Sequence, residues 1–460
     1  MKFIERHDPE GDDQGSFSHR FNKRNLKNLF YSKIAGSPVV GIDRTTSSKF
    51  EENLDREINF LLKRVSRCNY KFIAYRLLLL PKGRGKAPRE ISIPAIRDRL
   101  CLAALAELID DVYGSGCSTP HPQSIVAQVR NLWREHQYTH CLKADLKGFY
   151  SSIDHDSLMS VLTKRLRKPA VLDLIRSSIE TPSVPIGTKA AGKNEIGVPE
   201  GLSTSNRLAN IFASQLDTVF LNMNNVAYFR YVDDILIFFN YFDYDPGSII
   251  DMFSDSVKKV GLSVNKEKTH VQRLSDESLS FLGYVFDPNG AVTVRESSIK
   301  RLEQKIENDL RHLRGKQGKD REAAINQLNL RITGCRVTED GTSFQRFGWL
   351  HYYSQISDIS LLWKLDNVTA KISKRYNFDL QDTVKSFKKT YYEMRYKGDR
   401  TKYIPTFDLT RSVQEKRNEL KMLFPNENWD SKSEEDVHAT YNRRIRNLAN
   451  KLEKDVGKVS

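Results

Sequence analysis

The chain has 460 residues, 39% of them hydrophobic, which is enough to bury sizeable cores and suggests about three domains. Its formal net charge of +15 favours a polyanionic partner, most simply a nucleic acid, over a membrane surface. No stretch is long and apolar enough to span a bilayer, and the polar residues 1–24 are not expected to act as a secretory signal.

The number and spacing of the cysteines indicate whether the protein works in a reducing or an oxidising compartment. The cysteines are odd in number, scattered, and never spaced as Cys-x-x-Cys. This pattern argues against a disulfide framework and a structural zinc site, and it favours a reducing compartment. We therefore expect a cytoplasmic protein without a membrane partner. The residues concerned are Cys68, Cys101, Cys117, Cys141 and Cys335.

The first part of the chain predicts a tail followed by a helix. Residues 1–20 are expected to be a loose tail, within an N-terminal extension over 1–40. Between Ser47 and Arg67 the apolar residues recur every three or four positions, which predicts a helix with one apolar face.

A basic hairpin is expected over Tyr75–Pro94. Two apolar runs flank a tip that is rich in Gly and Lys and carries Lys82 and Lys86, and Arg89 begins the second run. Basic groups on such a tip are suited to contact phosphates. An ordinary charged turn fits the same pattern, so both interpretations stay open on this segment alone.

Acidic residues end or divide two apolar segments farther along. Cys141–Leu146 predicts a short buried strand with Asp145 near its end. Phe229–Phe239 predicts a hairpin with Asp233 and Asp234 in its tight turn, because aromatic and β-branched residues flank the pair. On its own the Asp pair is more typical of a solvated turn.

The three acids point to a metal site if the two segments are neighbours in one sheet, because Asp145 then joins Asp233 and Asp234. Oxygen ligands favour Mg²⁺ or Mn²⁺ over zinc. Two such ions about 3.5–4 Å apart clamp the attacking and leaving oxygens of a phosphoryl transfer. We expect two Mg²⁺ ions, with Mn²⁺ as the alternative.

The chain becomes helical after a boundary that we place near Gly290. The aromatic cluster Phe347–Tyr353 favours packing over base stacking. In residues 385–403 basic side chains alternate with aromatic ones, which fits single-stranded nucleic acid. A solvated helix face fits that segment almost equally well.

Taken in order, the blocks from about Gly41 to Phe286 resemble the bacterial reverse transcriptases, which are RNA-directed DNA polymerases. The resemblance implies a right-hand polymerase of the α+β class. Fingers and palm would occupy residues 41–290, a helical thumb 291–380, and a basic helical region 381–460. The blocks are Arg89–Arg99, Asp145 with Tyr150, Val198–Asn210, Tyr231–Asp234, Gly261–Thr269 and Phe281–Gly283.

The resemblance also implies a role for each matching residue. Asp145, Asp233 and Asp234 would be catalytic metal ligands, assisted by the Leu146 carbonyl. Phe281, Leu282 and Gly283 would form the primer grip. Tyr150 would exclude a 2′-hydroxyl, and Lys82 and Arg89 would hold the triphosphate. The nascent base pair would be lined by Pro199, Glu200 and Gly201. Lys268 would protonate the leaving pyrophosphate.

One residue departs from the family pattern. Glu200 stands where the family usually has Gln, which puts an acid beside the incoming nucleotide. In this respect the chain resembles the defence-associated, abortive-infection-type enzymes. The implied partners are an RNA template, expected to be a noncoding RNA, deoxynucleoside triphosphates and a DNA product. The implied role is antiphage defence.

Several alternatives stay open. Within the same class they are a retron enzyme, a group II intron maturase lacking its endonuclease, and untemplated or protein-primed DNA synthesis. The alternative outside that class is an RNA-binding scaffold, against which the three converging acids argue. Neither the oligomeric state nor the priming mechanism follows from the sequence.

Overall fold

The structure, a computed structural model, describes residues 13–81, 85, 87–188, 192–376, 378 and 383–457. Lys82, predicted to hold the triphosphate, lies outside the described residues. By packing, the chain divides into two units. The first unit comprises Met1–Pro120 and Thr139–Gln272, and the second comprises His121–Tyr138 and Arg273–Ser460. The four regions expected from the sequence remain a prediction.

Helices form most of the described secondary structure. Short π-helices cover Phe30–Ile34 and Glu393–Lys397, and 3₁₀ turns cover Gly114–Gly116, Tyr150–Ser152 and Gly398–Arg400. The α-helices are α1 (Asp13–Arg20), α2 (Lys23–Leu29), α3 (Ser47–Glu51), α4 (Leu54–Ser66), α5 (Ile96–Tyr113), α6 (Pro122–Glu135), α7 (His155–Leu162), α8 (Pro169–Glu180), α9 (Ser205–Leu221), α10 (Pro246–Lys259), α11 (Glu296–His312), α12 (Gly318–Thr333), α13 (Trp349–Tyr352), α14 (Ser360–Arg375), α15 (Phe387–Tyr392), α16 (Val413–Leu423) and α17 (Glu434–Val456).

The strands form small sheets. Their orders are β2-β1-β4, β5-β6-β3-β7, β10-β9-β8 and β12-β11-β13. The bounds are β1 (Tyr75–Leu80), β2 (Arg89–Ile93), β3 (His140–Asp145), β4 (Ser183–Val184), β5 (Val226–Tyr231), β6 (Asp234–Phe239), β7 (His270–Arg273), β8 (Leu279–Phe281), β9 (Tyr284–Phe286), β10 (Val292–Val294), β11 (Cys335–Thr338), β12 (Gln345–Phe347) and β13 (Thr406–Asp408).

Both predicted hairpins are confirmed, since β1 pairs antiparallel with β2 and β5 pairs antiparallel with β6. β8 and β9 form a further antiparallel pair. In each pair, short apolar runs on both sides of a turn satisfy one another's backbone groups, as the sequence pattern indicated. The mixture of helices with mainly antiparallel sheets, in which only β1–β4 and β11–β13 are parallel among the described pairs, confirms the predicted α+β class.

The prediction of a loose tail is wrong for its last residues, which form α1. Arg20 donates to Asp111 Oδ1 and Oδ2 at 2.7 Å and to Glu107 Oε2 at 3.0 Å. The Asp13 carboxylate accepts the backbone N–H groups of Arg167 and Lys168 at 2.6 Å each. These partners are distant in sequence, so the polar composition of this helix gave no indication of them.

The helix predicted over Ser47–Arg67 is interrupted. It consists of α3 and α4, and Asn53 between them has φ −118° and ψ 18°, which is not helical. The apolar periodicity continues across the break, because residues on both sides pack into the same core.

The core of the first unit surrounds α5 and α9. α5 is apolar around most of its circumference and is accordingly buried on nearly all sides, including Leu100, Leu105 and Leu108. β6 contributes Ile235 and Ile237, which share one face of the strand because side chains alternate. This packing anchors the strand that carries Asp234.

The second unit has a separate core built around β11, β13, α16 and α17. Trp429 and Tyr441 are among its buried side chains. The aromatic cluster predicted for packing is confirmed, since Trp349, Tyr352 and Tyr353 are all buried. Within the described ranges, no helix combines the length and the apolar character that crossing a membrane requires.

Candidate active site

The Asp pair lies at the tip of the β5–β6 hairpin, where only Val232 and Asp233 separate the two strands. Val232 has φ 59°, a left-handed conformation that is uncommon for a β-branched residue. Two-residue hairpin turns require such backbone angles, and glycine or asparagine usually provides them. A strained residue next to the acids indicates that the surrounding structure fixes the shape of this tip.

Arg230 fixes the tip through side-chain hydrogen bonds to the turn and to helix α9. Its Nε and Nη2 donate to the two carboxylate oxygens of Asp217 at 2.6 Å, and its Nη1 donates to the Val232 carbonyl and to Asn210 Oδ1 at 3.1 Å. Burial alone would lower the pKa of Arg230, but the Asp217 carboxylate more than offsets this, so the net pKa is raised. The hairpin tip is therefore tied to helix α9 by a charged, bidentate pair.

Asp145 lies directly across from Asp234. β3 pairs antiparallel with β6, and Asp145 and Asp234 are register partners. The Leu146 N–H donates to the Asp233 carbonyl at 3.3 Å, so the end of β3 is joined to the turn itself. The two segments are thus neighbours in one sheet, which is the condition under which the three acids were expected to converge.

Two side chains from the loop before β7 contact Asp145. Lys268 Nζ donates to its Oδ1 at 2.8 Å, and Asn265 Nδ2 donates to its Oδ2 at 2.9 Å. The hydrogen bond to Asp145 raises the pKa of Lys268. In this conformation one lysine partly neutralises a cluster of three carboxyl groups.

The other two acids, Asp233 and Asp234, have raised pKa values. Burial, followed by the charges of Asp233 and Asp145, raises the pKa of Asp234 to about 7. Burial and then Asp145 raise the pKa of Asp233, while Lys268 and Arg89 offset part of the rise. Carboxyl groups held this close need additional positive charge to be ionised together.

The donor set is suitable for a hard divalent cation. Carboxylate and carbonyl oxygens are the ligands that Mg²⁺ and Mn²⁺ prefer, and Asp145, Asp233, Asp234 and Leu146 offer no sulfur or imidazole. Across the described part of the chain, however, no three His, Cys, Asp or Glu side chains form a preassembled metal-binding group. Lys268 and Asn265 engage the Asp145 oxygens instead.

A second cluster adjoins the acids and contains most of the residues predicted to bind nucleotide. Arg89 on β2 forms an ion pair with Glu200 through Nε and Oε2. The Ser92 N–H donates to the Glu200 carbonyl at 2.7 Å, which holds the loop against β2. Because Arg89 also contributes to the electrostatics of Asp233, the two clusters are neighbours.

Tyr150 forms another side of this second cluster. Its hydroxyl donates to Asn206 Oδ1 at 2.7 Å, and its carbonyl accepts the Val198 N–H at 2.8 Å. Burial, followed by Glu200 and Asp233, raises the pKa of Tyr150. Tyr150 therefore lies near both the acids and the Pro199–Gly201 block.

Gly201 is needed where the loop passes β2. Its φ is +107°, and an added Cβ would lie 2.7 Å from the Ser92 carbonyl oxygen. The Pro199 carbonyl accepts the Ser205 hydroxyl at 2.5 Å, at the start of α9. A larger residue at Gly201 would push the loop away from β2, so this position accounts for one glycine of the predicted block.

The predicted primer grip belongs to the second unit. Phe281 ends β8, and Leu282 and Gly283, with φ 47° and 81°, form the turn into β9. The Leu282 carbonyl accepts the Tyr352 hydroxyl at 3.2 Å. This turn is packed against the aromatic cluster of its own unit.

The structure thus brings together, in one unit, Asp145, Leu146, Asp233 and Asp234 with Arg89, Tyr150, the Pro199–Gly201 block and Lys268. Sequence reasoning missed the supporting residues Asp217, Arg230 and Asn265. An arginine within an otherwise apolar strand was the available signal for Arg230. Nothing in the sequence indicated its partner on α9.

Comparisons with known proteins give a family model and several relatives to which parts of the chain are similar. Residues 80–286 match the family model described as reverse transcriptase (RNA-dependent DNA polymerase). Protein YkfC of Escherichia coli (strain K12) is 24% identical over 195 residues, covering 40% of this chain and 50% of that protein. The group II intron-encoded protein LtrA of Lactococcus lactis subsp. cremoris is 21% identical over 212 residues, covering 43% of this chain and 33% of that protein.

Among solved structures, telomerase from Candida albicans in complex with the TWJ fragment of telomeric RNA shows 15% sequence identity and a TM-score of 0.39. The match covers 74% of this chain and 65% of that chain. The present chain spans half or less of the length of the two curated relatives.

Proposed function

The chain carries a reverse transcriptase domain over residues 80–286, and on that premise we propose that the protein is an RNA-directed DNA polymerase. One observation carries the proposal. Asp145 pairs in register with Asp234 on adjacent strands, and Asp233 occupies the turn between β5 and β6. Three carboxyl groups with mutually unfavourable charge, next to the second cluster with Arg89 and Tyr150, are suited to metal-dependent nucleotidyl transfer.

We assign Asp145, Asp233, Asp234 and the Leu146 carbonyl to holding divalent cations, with Mg²⁺ favoured and Mn²⁺ as the alternative. Bound there, a pair of cations would lower the pKa of a primer 3′-hydroxyl and neutralise the charge of the transferred phosphoryl group. The raised pKa values of Asp233 and Asp234 support this assignment, because added positive charge stabilises their ionised forms.

We assign Arg89 to the triphosphate and Tyr150 to the sugar. The Arg89 guanidinium is suited to bidentate contact with phosphate oxygens, provided that it exchanges Glu200 for them. The Tyr150 ring is held by Asn206 at its hydroxyl, so it presents a fixed edge to a bound sugar. The assignment of Lys82 rests on the resemblance alone, as does that of Lys268 as a proton donor.

The template is proposed to be RNA, and more narrowly a noncoding RNA associated with the protein. The net charge of +15 supports a polyanionic partner, and the family model describes an RNA-dependent enzyme. The turn Phe281–Gly283 is proposed as the primer grip. A cytoplasmic location is proposed on the five cysteines, all of which are described and all of which are free thiols.

The finer proposal is a role in antiphage defence, with a retron enzyme as the alternative within the same class. Its support is the acid at Glu200, which resembles the altered blocks of defence-associated enzymes. Glu200 also keeps untemplated and protein-primed synthesis open, because an acid at this position changes the groups that would contact a nascent base pair.

The experiment uses the purified full chain, Mg²⁺ or Mn²⁺, and labelled deoxynucleotides or ribonucleotides, with and without the RNA that copurifies. Incorporation that requires deoxynucleotides and is lost after ribonuclease treatment supports RNA-directed synthesis. Incorporation that survives ribonuclease supports untemplated synthesis, and label released only by protease supports protein priming. An absence of incorporation under all conditions, with RNA still bound, favours the RNA-binding scaffold.

A further inference from the structure

The second unit contains a cavity of about 290 Å³ that none of the roles above uses. β11, β12, α13, α15 and the π-helical segment that follows α15 contribute to its walls. Basic side chains dominate the polar part of the lining, and Asp399 is the one acid among the lining residues. Those residues are Arg336, Arg346, His351, Ser354, Tyr391, Met394, Arg395, Gly398, Asp399 and Ile404.

His351 is the first sign that this cavity takes a ligand. Its side chain is buried, with 6% of the residue exposed, and within the described residues neither ring nitrogen has a hydrogen-bond partner. Burial, followed by the charges of Arg346 and Arg336, lowers the pKa of His351 to about 4. A neutral imidazole still offers one donor and one acceptor, and leaving both unused in a buried position is unfavourable.

Arg336 is the second sign. Its side chain is 4% exposed, and its Nη2 donates to the carbonyls of Thr401 at 2.6 Å and Ile404 at 3.1 Å. Its Nε is buried without a partner among the described residues. Its Nη1 donates to the Gly398 carbonyl at 3.3 Å and to Asp399 Oδ1 at 3.5 Å. Backbone carbonyls therefore hold the guanidinium in place, and the one carboxylate that faces it is shared with Arg346.

Two further arginines complete the basic lining. Arg346 donates to the two carboxylate oxygens of Asp399 at 2.9 and 2.8 Å. Arg395 is exposed and donates to the Tyr391 hydroxyl at 3.2 Å. Arg395 also lies close enough to Arg130 to contribute to lowering the pKa of that residue, after the larger effect of burial. Three guanidinium groups thus face one carboxylate.

The backbone beside the cavity is also unusual. The π-helix Glu393–Lys397 supplies Met394 and Arg395, and it ends at Gly398, which has φ 54°. Single π-helical turns are rare and occur frequently at functional sites, where they reposition side chains. Glu393 fixes this turn by accepting the Thr401 hydroxyl and Lys397 Nζ.

We propose that this cavity binds a phosphate group carried by a nucleotide, either free or within a nucleic-acid strand. Guanidinium groups match phosphate oxygens in bidentate geometry, and phosphate would compete with Asp399 for Arg346. The His351 N–H and the Arg336 Nε–H are available as additional donors. The volume lies near the lower limit for small-molecule sites, which suits one nucleotide better than an extended ligand.

The test measures binding of radiolabelled AMP to the full chain by equilibrium dialysis. EDTA is present so that metal-dependent nucleotide binding at the carboxyl cluster is suppressed, and the result does not depend on polymerase activity. We expect AMP to bind, inorganic phosphate to displace it, and adenosine to leave it in place. A 5′-phosphorylated dinucleotide that competes better than AMP identifies a strand as the source, and one that competes less well identifies a free nucleotide.

The variant Arg346→Gln/Arg395→Gln removes two cavity charges from exposed or half-exposed positions, so the fold should be preserved. We expect it to weaken AMP binding at least about tenfold, because charged hydrogen bonds to phosphate are lost. Arg311→Gln/Arg375→Gln removes equal charge from α11 and α14, outside the lining. If AMP, phosphate and the dinucleotide all fail to bind, the cavity holds only ordered water and the proposal is overturned. An equal loss in the control variant would overturn it as well.

Discussion

Glu200 and Arg89 form an ion pair in the cluster next to the acids, joining residues 111 positions apart in the chain. The Arg89 side chain is 41% exposed, so the pair by itself contributes about 1 kcal/mol or less to stability. The ion pair matters more for the binding of a substrate than for stability. A triphosphate that binds Arg89 must displace Glu200 and then tolerate its charge.

Glu200→Gln is therefore expected to lower the KM for the nucleotide. The change keeps the size of the side chain, but it removes a negative charge beside the proposed triphosphate site and releases Arg89. An effect of about 1 kcal/mol, as expected for a charge at this distance in a partly solvated site, corresponds to roughly fivefold in KM. Steady-state kinetics over a nucleotide titration measure it.

Glu90→Gln provides the matched control, because Glu90 is an exposed acid on the same strand as Arg89. We expect the KM of this control to match that of the unaltered protein. An unchanged KM for Glu200→Gln, or the same decrease in both variants, would show that Glu200 does not compete with the nucleotide.

Tyr150→Ala is expected to reduce discrimination against ribonucleotides. Removing a ring that Asn206 holds in place would open space where a 2′-hydroxyl would lie. Loss of a steric contact of this kind corresponds to about 10–100-fold in the ratio of kcat/KM values. Tyr150→Phe keeps the ring and should retain most of the discrimination. If Tyr150→Ala leaves the ratio unchanged, the sugar does not contact this residue.

Arg230→Met is expected to destabilise the first unit by about 3 kcal/mol, because it leaves the half-buried Asp217 carboxylate unpaired. Adding Asp217→Asn removes that charge, keeps an acceptor for the Tyr228 hydroxyl, and should restore most of the stability. Urea unfolding measures both variants.

The same double variant separates a positioning role from a structural one. Arg230 also donates to the Val232 carbonyl, so its loss frees the turn that carries Asp233. We expect synthesis by the Arg230→Met/Asp217→Asn protein to stay reduced in kcat, with a nearly unchanged KM, although stability has recovered. Full recovery of kcat would mean that Arg230 serves folding alone.

Local patterns predicted much of this site from the sequence. The turn containing Asp233 and the strand ending at Asp145 were visible as apolar, aromatic and β-branched runs. The order of the blocks indicated the reverse transcriptase segment, and residues 80–286 match the model of that family. The pairing of Arg89 with Glu200 was not visible, since it depends on how a loop packs against β2. The same holds for Arg230 with Asp217, and for the contacts that make α1 a helix.

Asp98 is expected to make stability depend on pH. Its carboxyl group is buried, accepting the Tyr70 hydroxyl at 2.6 Å and the Ile73 N–H at 3.2 Å, and burial raises its pKa to about 7. Because folding raises this pKa, protonated Asp98 contributes to the stability of the fold. The contribution is complete below the pKa of the unfolded chain, near 3.9, and is lost as pH rises through about 7.

Between pH 5 and pH 7, the free energy of unfolding of the first unit should therefore decrease more in the unaltered protein than in Asp98→Asn. The expected difference is on the order of 2 kcal/mol. Urea unfolding at the two pH values measures the difference. Parallel pH dependence in both proteins would show that Asp98 is already ionised in the fold.

If Asp145, Asp233 and Asp234 hold the cations for DNA synthesis, the most direct measurement compares the unaltered protein with Asp233→Asn/Asp234→Asn. Both are incubated with the copurifying RNA, Mg²⁺ and labelled deoxynucleotides. Since metal ligation supplies several kcal/mol to the transition state, we predict a loss of at least about a thousandfold in synthesis, with RNA binding retained. Synthesis that persists in the double variant would contradict the assignment of this site.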